Sequence, residues 1–184
     1  MKLASYKGRR KGIAGFVSIG IRFWLMGKHS HSEVIFEPGD GVDELMPDKT
    51  TEMIDGTVWA FSSSASDIIP KWAKRRAGKK GGCRFKRINF KEDKYSDGKW
   101  DIIPYPVDAY KAAQIAVENE GNSYDHRLNL GIFFRPILLL FGYRDGFVNC
   151  SKVCAKVGQF EEPDRFDPCV LHVAVKNMSN AIKT

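Results

Sequence analysis

Cysteine is scarce in this sequence, and the few present form no recognisable pair. Cys83, Cys150, Cys154 and Cys169 occur without a Cys-x-x-Cys unit, and His29, His31, His126 and His172 supply no zinc-type spacing around them. Neither a structural metal nor a cofactor is therefore expected. A disulfide framework is equally out of place, because 184 residues with 43% hydrophobic content can build a core of their own. Long apolar runs are missing too. Residues 13–26 are interrupted by Arg22 and lack a small-residue cleavage site, and residues 131–141 carry an Arg135-Pro136 break. Neither stretch suits a signal peptide or a membrane span, so both are read as core or groove elements, with membrane contact a lesser alternative for the second. No internal repeat stands out. Acid is in short supply relative to base, 22 residues against 29, for a net charge of +7. Much of the excess lies in residues 7–11 and 71–87. Such clusters attract anionic polymers or surfaces, but no nucleic-acid motif accompanies them, so specific nucleic-acid binding is not expected.

The pattern of what is present predicts one α+β domain over residues 1–184. Residues 13–26 are compatible with a short helix. His31 to Phe36 reads as a strand, ended by the turn Pro38-Gly39-Asp40-Gly41. Residues 57–61 form a second strand that runs into Ser62-Ser63-Ser64. A basic, glycine-containing stretch at about 66–82 looks like a mobile insertion. Residues 83–90 alternate with a period of two, and residues 99–104 give a further short strand. A helix is expected from Pro106-Val107-Asp108 to about Glu120, stopped by Gly121-Asn122. Residues 128–141 read as partly helical, and residues 169–175 as a last short element. Antiparallel strands followed mostly by helices define the class.

Two segments carry chemistry. Phe147-Val148-Asn149-Cys150 leads into the helix-compatible run 151–157. Cys150 would then stand at a helix N-terminus, where free N–H groups and the helix dipole favour a thiolate. Cys154, one turn on, would be buried behind it as a small apolar residue. The strand from His31 would hold an imidazole rigidly, and thiolate plus imidazole is the minimum equipment for nucleophilic acyl chemistry. Glu33 shares a strand face with His31 and would tune its basicity, unless it is a cross-strand charge. Tyr124 is read chiefly as packing under the site, and His29 as a surface residue or substrate contact.

The ordered segments Ser30-His31-Ser32-Glu33-Val34-Ile35-Phe36, Phe61-Ser62-Ser63-Ser64 with Gly81-Gly82-Cys83-Arg84-Phe85-Lys86, Gly121-Asn122-Ser123-Tyr124-Asp125, and Asn149-Cys150-Ser151-Lys152 with Asp167-Pro168 span most of the chain. Together they resemble the circularly permuted branch of the NlpC-type papain-like cysteine hydrolases, the YiiX-like group, and in particular its small phage and prophage members. The resemblance implies a papain-like core, an antiparallel sheet or small barrel packed against helices, with the histidine strand before the cysteine helix. It implies Cys150 as nucleophile, His31 as general base and a polar orienter in residues 62–64, with Ser62 preferred and Ser64 on the same face. Lys152 departs from the family's glutamate and would help hold the thiolate. The implied activity is amide hydrolysis of peptidoglycan peptide or another amide substrate, in a protein made in the host cytoplasm and associated with virion or tail proteins. Two alternatives stand beside it. One is a lipid-directed thioesterase or acyltransferase, since the permuted branch also resembles lecithin:retinol acyltransferase. The other is a non-enzymatic virion component that keeps the fold.

Overall fold

The computed structural model describes residues 1–8, 27–47, 57–89, 98–124 and 150–182. The predicted helix at 13–26, the apolar stretch 128–141, Asp125 and His126 lie outside these residues. Five strands form one antiparallel sheet: β1 (Lys2–Tyr6), β2 (His31–Phe36), β3 (Thr57–Ile68), β4 (Lys80–Asn89) and β5 (Trp100–Pro104), in the order β4-β3-β2-β1-β5. Among the described residues three α-helices follow: α1 (Ala109–Asn119), α2 (Cys150–Val157) and α3 (Pro168–Ala181). The class is α+β. Among the described residues, no helix is long and apolar enough to cross a membrane.

The position of β2 explains its apolar sequence. It is flanked by β1 and β3, and all six of its residues are buried. Val34 and Phe36 join Leu3, Phe61 and Phe85 in a core with Val153, Cys154 and Val157 of α2 and Leu171 of α3. Ile35, on the other face, packs with Ala4, Tyr6, Val58, Ala60 and Trp100. A strand buried on both faces has no reason to alternate apolar with polar. Of its polar side chains, His31 and Glu33 find each other, while the Ser32 hydroxyl has no partner among the described residues.

Helix α1 begins where Asp108 accepts the Lys111 N–H at 3.0 Å, an N-cap that satisfies one of the free donors of the first turn. Its buried stripe of Ala112, Ala113 and Ala116 is small enough to let α2 approach closely. Tyr105, just before α1, is buried and donates its hydroxyl to the Cys154 carbonyl at 3.1 Å. A Cβ at Gly158 would collide with that same hydroxyl, so the end of α2 is shaped around the tyrosine. Helix α3 starts at Asp167, which caps the N–H groups of Cys169 and Val170 at 2.8 and 2.9 Å, with Pro168 at the first helical position. It runs 14 residues, well beyond the short element expected at 169–175.

Two further elements differ from the expectations above. The first is β1, which they did not contain. It is only five residues long, yet it sits between β2 and β5 and ties them together. The second is the basic stretch at about 66–82, which holds the end of β3, a turn and the start of β4. Ile69 donates to Lys79 and Gly78 to Ile69, both at 2.9 Å. The turn is also docked on the end of α1. Gly121 donates to Cys83 at 2.8 Å, Cys83 to Asn122 at 2.9 Å, and the Arg75 guanidinium to the Glu118 carbonyl. At Gly121, φ is +78° and a Cβ would strike the Arg75 backbone, so this junction needs glycine twice over.

Candidate active site

Strand β2 pairs with β1 from His31 to Ile35, but with β3 only over Val34–Phe36 against Trp59–Phe61. N-terminal to Val34 the ladder to β3 is absent, and side chains make the link instead. Glu33, 2% exposed, places its Oε1 3.2 Å from His31 Nε2 and accepts the Ser62 hydroxyl at 3.3 Å. The same oxygen lies 3.6 Å from Arg84 Nη2. Arg84, on the neighbouring β4 and itself buried, donates through Nη1 to Ser62 Oγ at 2.7 Å. Its other arm pairs with Asp67.

Cys150 is the first residue of α2 and keeps 7% of its surface, while Cys154 and Cys83 keep none. Its thiol is in side-chain hydrogen-bond contact with His31. The arrangement is thus a chain of alternating charge-bearing groups: Cys150, His31, Glu33, Arg84 and Asp67. The consequence shows in the imidazole. Burial alone drives His31 toward its neutral form, but Cys150 and then Glu33 outweigh it and raise the pKa above its ordinary value. At the far end, burial of Asp67 is outweighed by Arg84, which holds the carboxyl below its ordinary range. The remaining cysteines face the opposite way. Burial pushes Cys83 up to about 11, and burial followed by the nearby Cys150 and Glu33 pushes Cys154 well up. The Cys154 thiol is engaged with the Ser32 carbonyl at 3.4 Å. Cys169 is half-buried, and burial raises it as well.

The site residues expected from sequence fall into two groups. His31, Cys150 and Glu33 are brought together. Ser62 is not brought onto the imidazole: its one proton goes to Glu33 and its oxygen accepts from Arg84, so the partner of His31 Nε2 is a carboxylate. Ser64 accepts the N–H groups of Ser66 and Asp67 at 3.4 and 3.3 Å, shaping the irregularity that carries Asp67 toward Arg84. Lys152 is paired with Asp164 of the turn Pro163–Arg165. Tyr124 is half-buried. His29, read as a surface residue, is 6% exposed and belongs to a separate cluster with Asp101 and His172.

Compared with protein-family models, curated proteins and solved structures, the chain matches none. The site must therefore be argued from its own geometry.

Arg84 and Asp67 are the members that sequence reasoning missed. A signal existed for Arg84. It is a lone cation between the apolar Cys83 and Phe85, on the strand parity that faces Ser62 across the β3–β4 ladder. Asp67 had none, because it lies past the irregularity between Ser64 and Ile68, where parity no longer reports the facing.

Proposed function

We propose that this protein is a cysteine-dependent amide hydrolase with Cys150 as nucleophile, His31 as its base and Glu33 as the group that orients and charges His31. The observation that carries the reading is the contact of a helix-start cysteine with a buried histidine whose Nε2 is held by a buried carboxylate. With Nε2 engaged by Glu33, Nδ1 is the nitrogen left to take the thiol's proton. Thiolate attack on an amide carbonyl would form a tetrahedral oxyanion, with the Cys150 backbone N–H at the start of α2 as one donor to it. The imidazolium then protonates the departing amine. Water, deprotonated by the same imidazole, releases the acyl group and regenerates the thiol. A carboxylate stabilises imidazolium better than a hydroxyl would, which favours Glu33 over Ser62 in the third role.

The papain-like, circularly permuted arrangement implied by the sequence resemblance is consistent with a histidine strand preceding a cysteine helix on an antiparallel sheet. For substrate, an anionic polymer such as peptidoglycan suits the turn between β3 and β4. There Lys71, Lys74, Arg75, Arg76, Lys79 and Lys80 are all exposed around the exposed Trp72.

The test is turnover of soluble peptidoglycan stem peptides alongside acyl esters, with the unsubstituted chain and with Cys150→Ala. Amide cleavage abolished by Cys150→Ala, with unchanged circular dichroism, is the expected result. Ester turnover without amide cleavage would support a thioesterase or acyltransferase instead. No turnover of either class would return the protein to a structural role.

A further inference from the structure

Two residues before His31, the buried His29 is the start of a second constellation. Its Nε2 lies 2.9 Å from Asp101 Oδ2 on β5. Its ring stacks on His172 of α3, with centroids 4.2 Å apart and planes 34° from parallel. One ligand-capable atom from each of the three residues falls within 4.8 Å of the others. Three elements distant in sequence converge here: 72 residues separate His29 from Asp101. No local spacing could have shown this, because the three residues meet only in the folded chain.

The surroundings hold these side chains as a second shell holds ligands. His172 Nδ1 lies 3.0 Å from Ser5 Oγ; in the tautomer that donates from Nδ1 to this hydroxyl, Nε2 keeps the lone pair a metal ion would take. The backbone of His29 is clamped by one residue of α3. Its N–H donates to Cys169 Sγ at 3.4 Å, and its carbonyl accepts from the Cys169 thiol at 3.3 Å. Cys169 lies on the turn of α3 preceding His172, so the helix fixes both histidines at once. Asp101 is held through its other oxygen, Oδ1, by Lys7 Nζ at 2.5 Å.

We propose that His29, Asp101 and His172 form a binding site for a divalent transition-metal ion of the zinc class, coordinated through His29 Nε2, Asp101 Oδ2 and His172 Nε2. Two imidazoles and one carboxylate suit borderline ions such as Zn²⁺ or Co²⁺ and are a poor set for Ca²⁺ or Mg²⁺, which take oxygen ligands. Bonds of about 2.0–2.2 Å around a tetrahedral ion would set the ligand atoms roughly 3.3 Å apart. Binding would therefore open the His29–Asp101 pair slightly from 2.9 Å and bring His172 in from within the 4.8 Å that spans the three ligand atoms. Water completes the shell through the partly exposed side of the cluster, where Asp101 and His172 reach the surface. The Lys7 ammonium opposes the ion by neutralising Asp101, so the site is tuned for modest rather than tight binding. The ion would tie the approach to β2, and hence the segment leading into His31, to β5 and α3.

The experiment uses the full chain carrying Cys150→Ser, which removes the thiol of the other cluster as a competing ligand. Titration with Co²⁺ by visible absorption, and with Zn²⁺ by calorimetry, should give one ion per chain and d–d bands without a thiolate charge-transfer band. Affinity should fall at least about tenfold in His172→Gln and in Asp101→Asn, and by about 10–100-fold in Ser5→Ala. It should rise in Lys7→Met. Broadening of the His29 and His172 imidazole resonances by Co²⁺ reads the same site without altering its ligands. Absence of stoichiometric binding overturns the proposal. So does binding indifferent to both His172→Gln and Asp101→Asn, or a thiolate band that assigns the ion to another cysteine.

Discussion

His29 and His31 stand two residues apart on one segment, yet their neighbours give them opposite characters. Around His31 the charge-bearing groups alternate in sign from Cys150 to Asp67, so each cationic group sits between anionic ones. Burial would strip the proton from such an imidazole, but here the flanking groups win and its pKa rises. Around His29 two imidazoles share a single carboxylate, for which Lys7 also competes. Burial, and then the adjacent His29, push His172 down to about 4. One cluster holds a proton where a thiolate can use it. The other sets two imidazole rings and one carboxylate within ligand reach of one another, which is what a metal ion requires. Residue type does not separate the two clusters; the sign and number of the nearest charges do.

The largest effect that would break this comparison is on stability. Arg84→Met leaves Glu33 and Asp67 without their shared cation, and removing one partner of a buried charge network costs about 3–5 kcal/mol. Urea unfolding measures it, and a loss within about 0.5 kcal/mol, typical of a surface substitution, would show that the charge chain does not hold the site. Next comes Glu33→Gln, which removes one of the groups that raise His31. The imidazole should titrate lower in an NMR pH series, and Cys150 should alkylate more slowly at neutral pH. An unchanged His31 titration would mean that Glu33 only fills space.

Asp67 gives a smaller, pH-dependent effect. Its folded pKa lies below the ordinary 3.8. Its contribution to stability is therefore complete above that value and is lost as pH falls through the folded pKa. Asp67→Asn should flatten that acid limb, as read by thermal unfolding at a series of pH values, and an unaltered limb would detach Asp67 from the network. The smallest effect tests whether α3 is independent of the site. Asp167→Ala removes the cap of α3 and should cost about 1 kcal/mol, with Cys150 reactivity unaltered. A parallel loss of reactivity would show that the two clusters are coupled through the helix.

The sequence disclosed the parts of this molecule that are set locally. The strand at His31 to Phe36, the helix opened by Asp108 and the helix-start position of Cys150 follow from short patterns that tertiary structure leaves intact. Strand β1 escaped because Lys2–Tyr6 has no pronounced apolar alternation, and its place is set by pairing on both sides. The third group of the site was sought among the serines following β3's apolar start. A hydroxyl facing a buried carboxylate and a guanidinium is committed to both, and only the packed sheet shows that Arg84 stands there. The His29–Asp101–His172 cluster depends entirely on chain crossing, so its histidines looked unrelated in sequence.

The most direct measurement is the alkylation rate of Cys150 by iodoacetamide against pH, read by mass spectrometry in the unsubstituted chain and in His31→Ala. The account predicts a thiolate that titrates well below the ordinary value of about 8.5, reacts ahead of Cys83 and Cys154, and shifts upward when His31 is removed. A slow Cys150 whose pH profile is indifferent to His31 would contradict it.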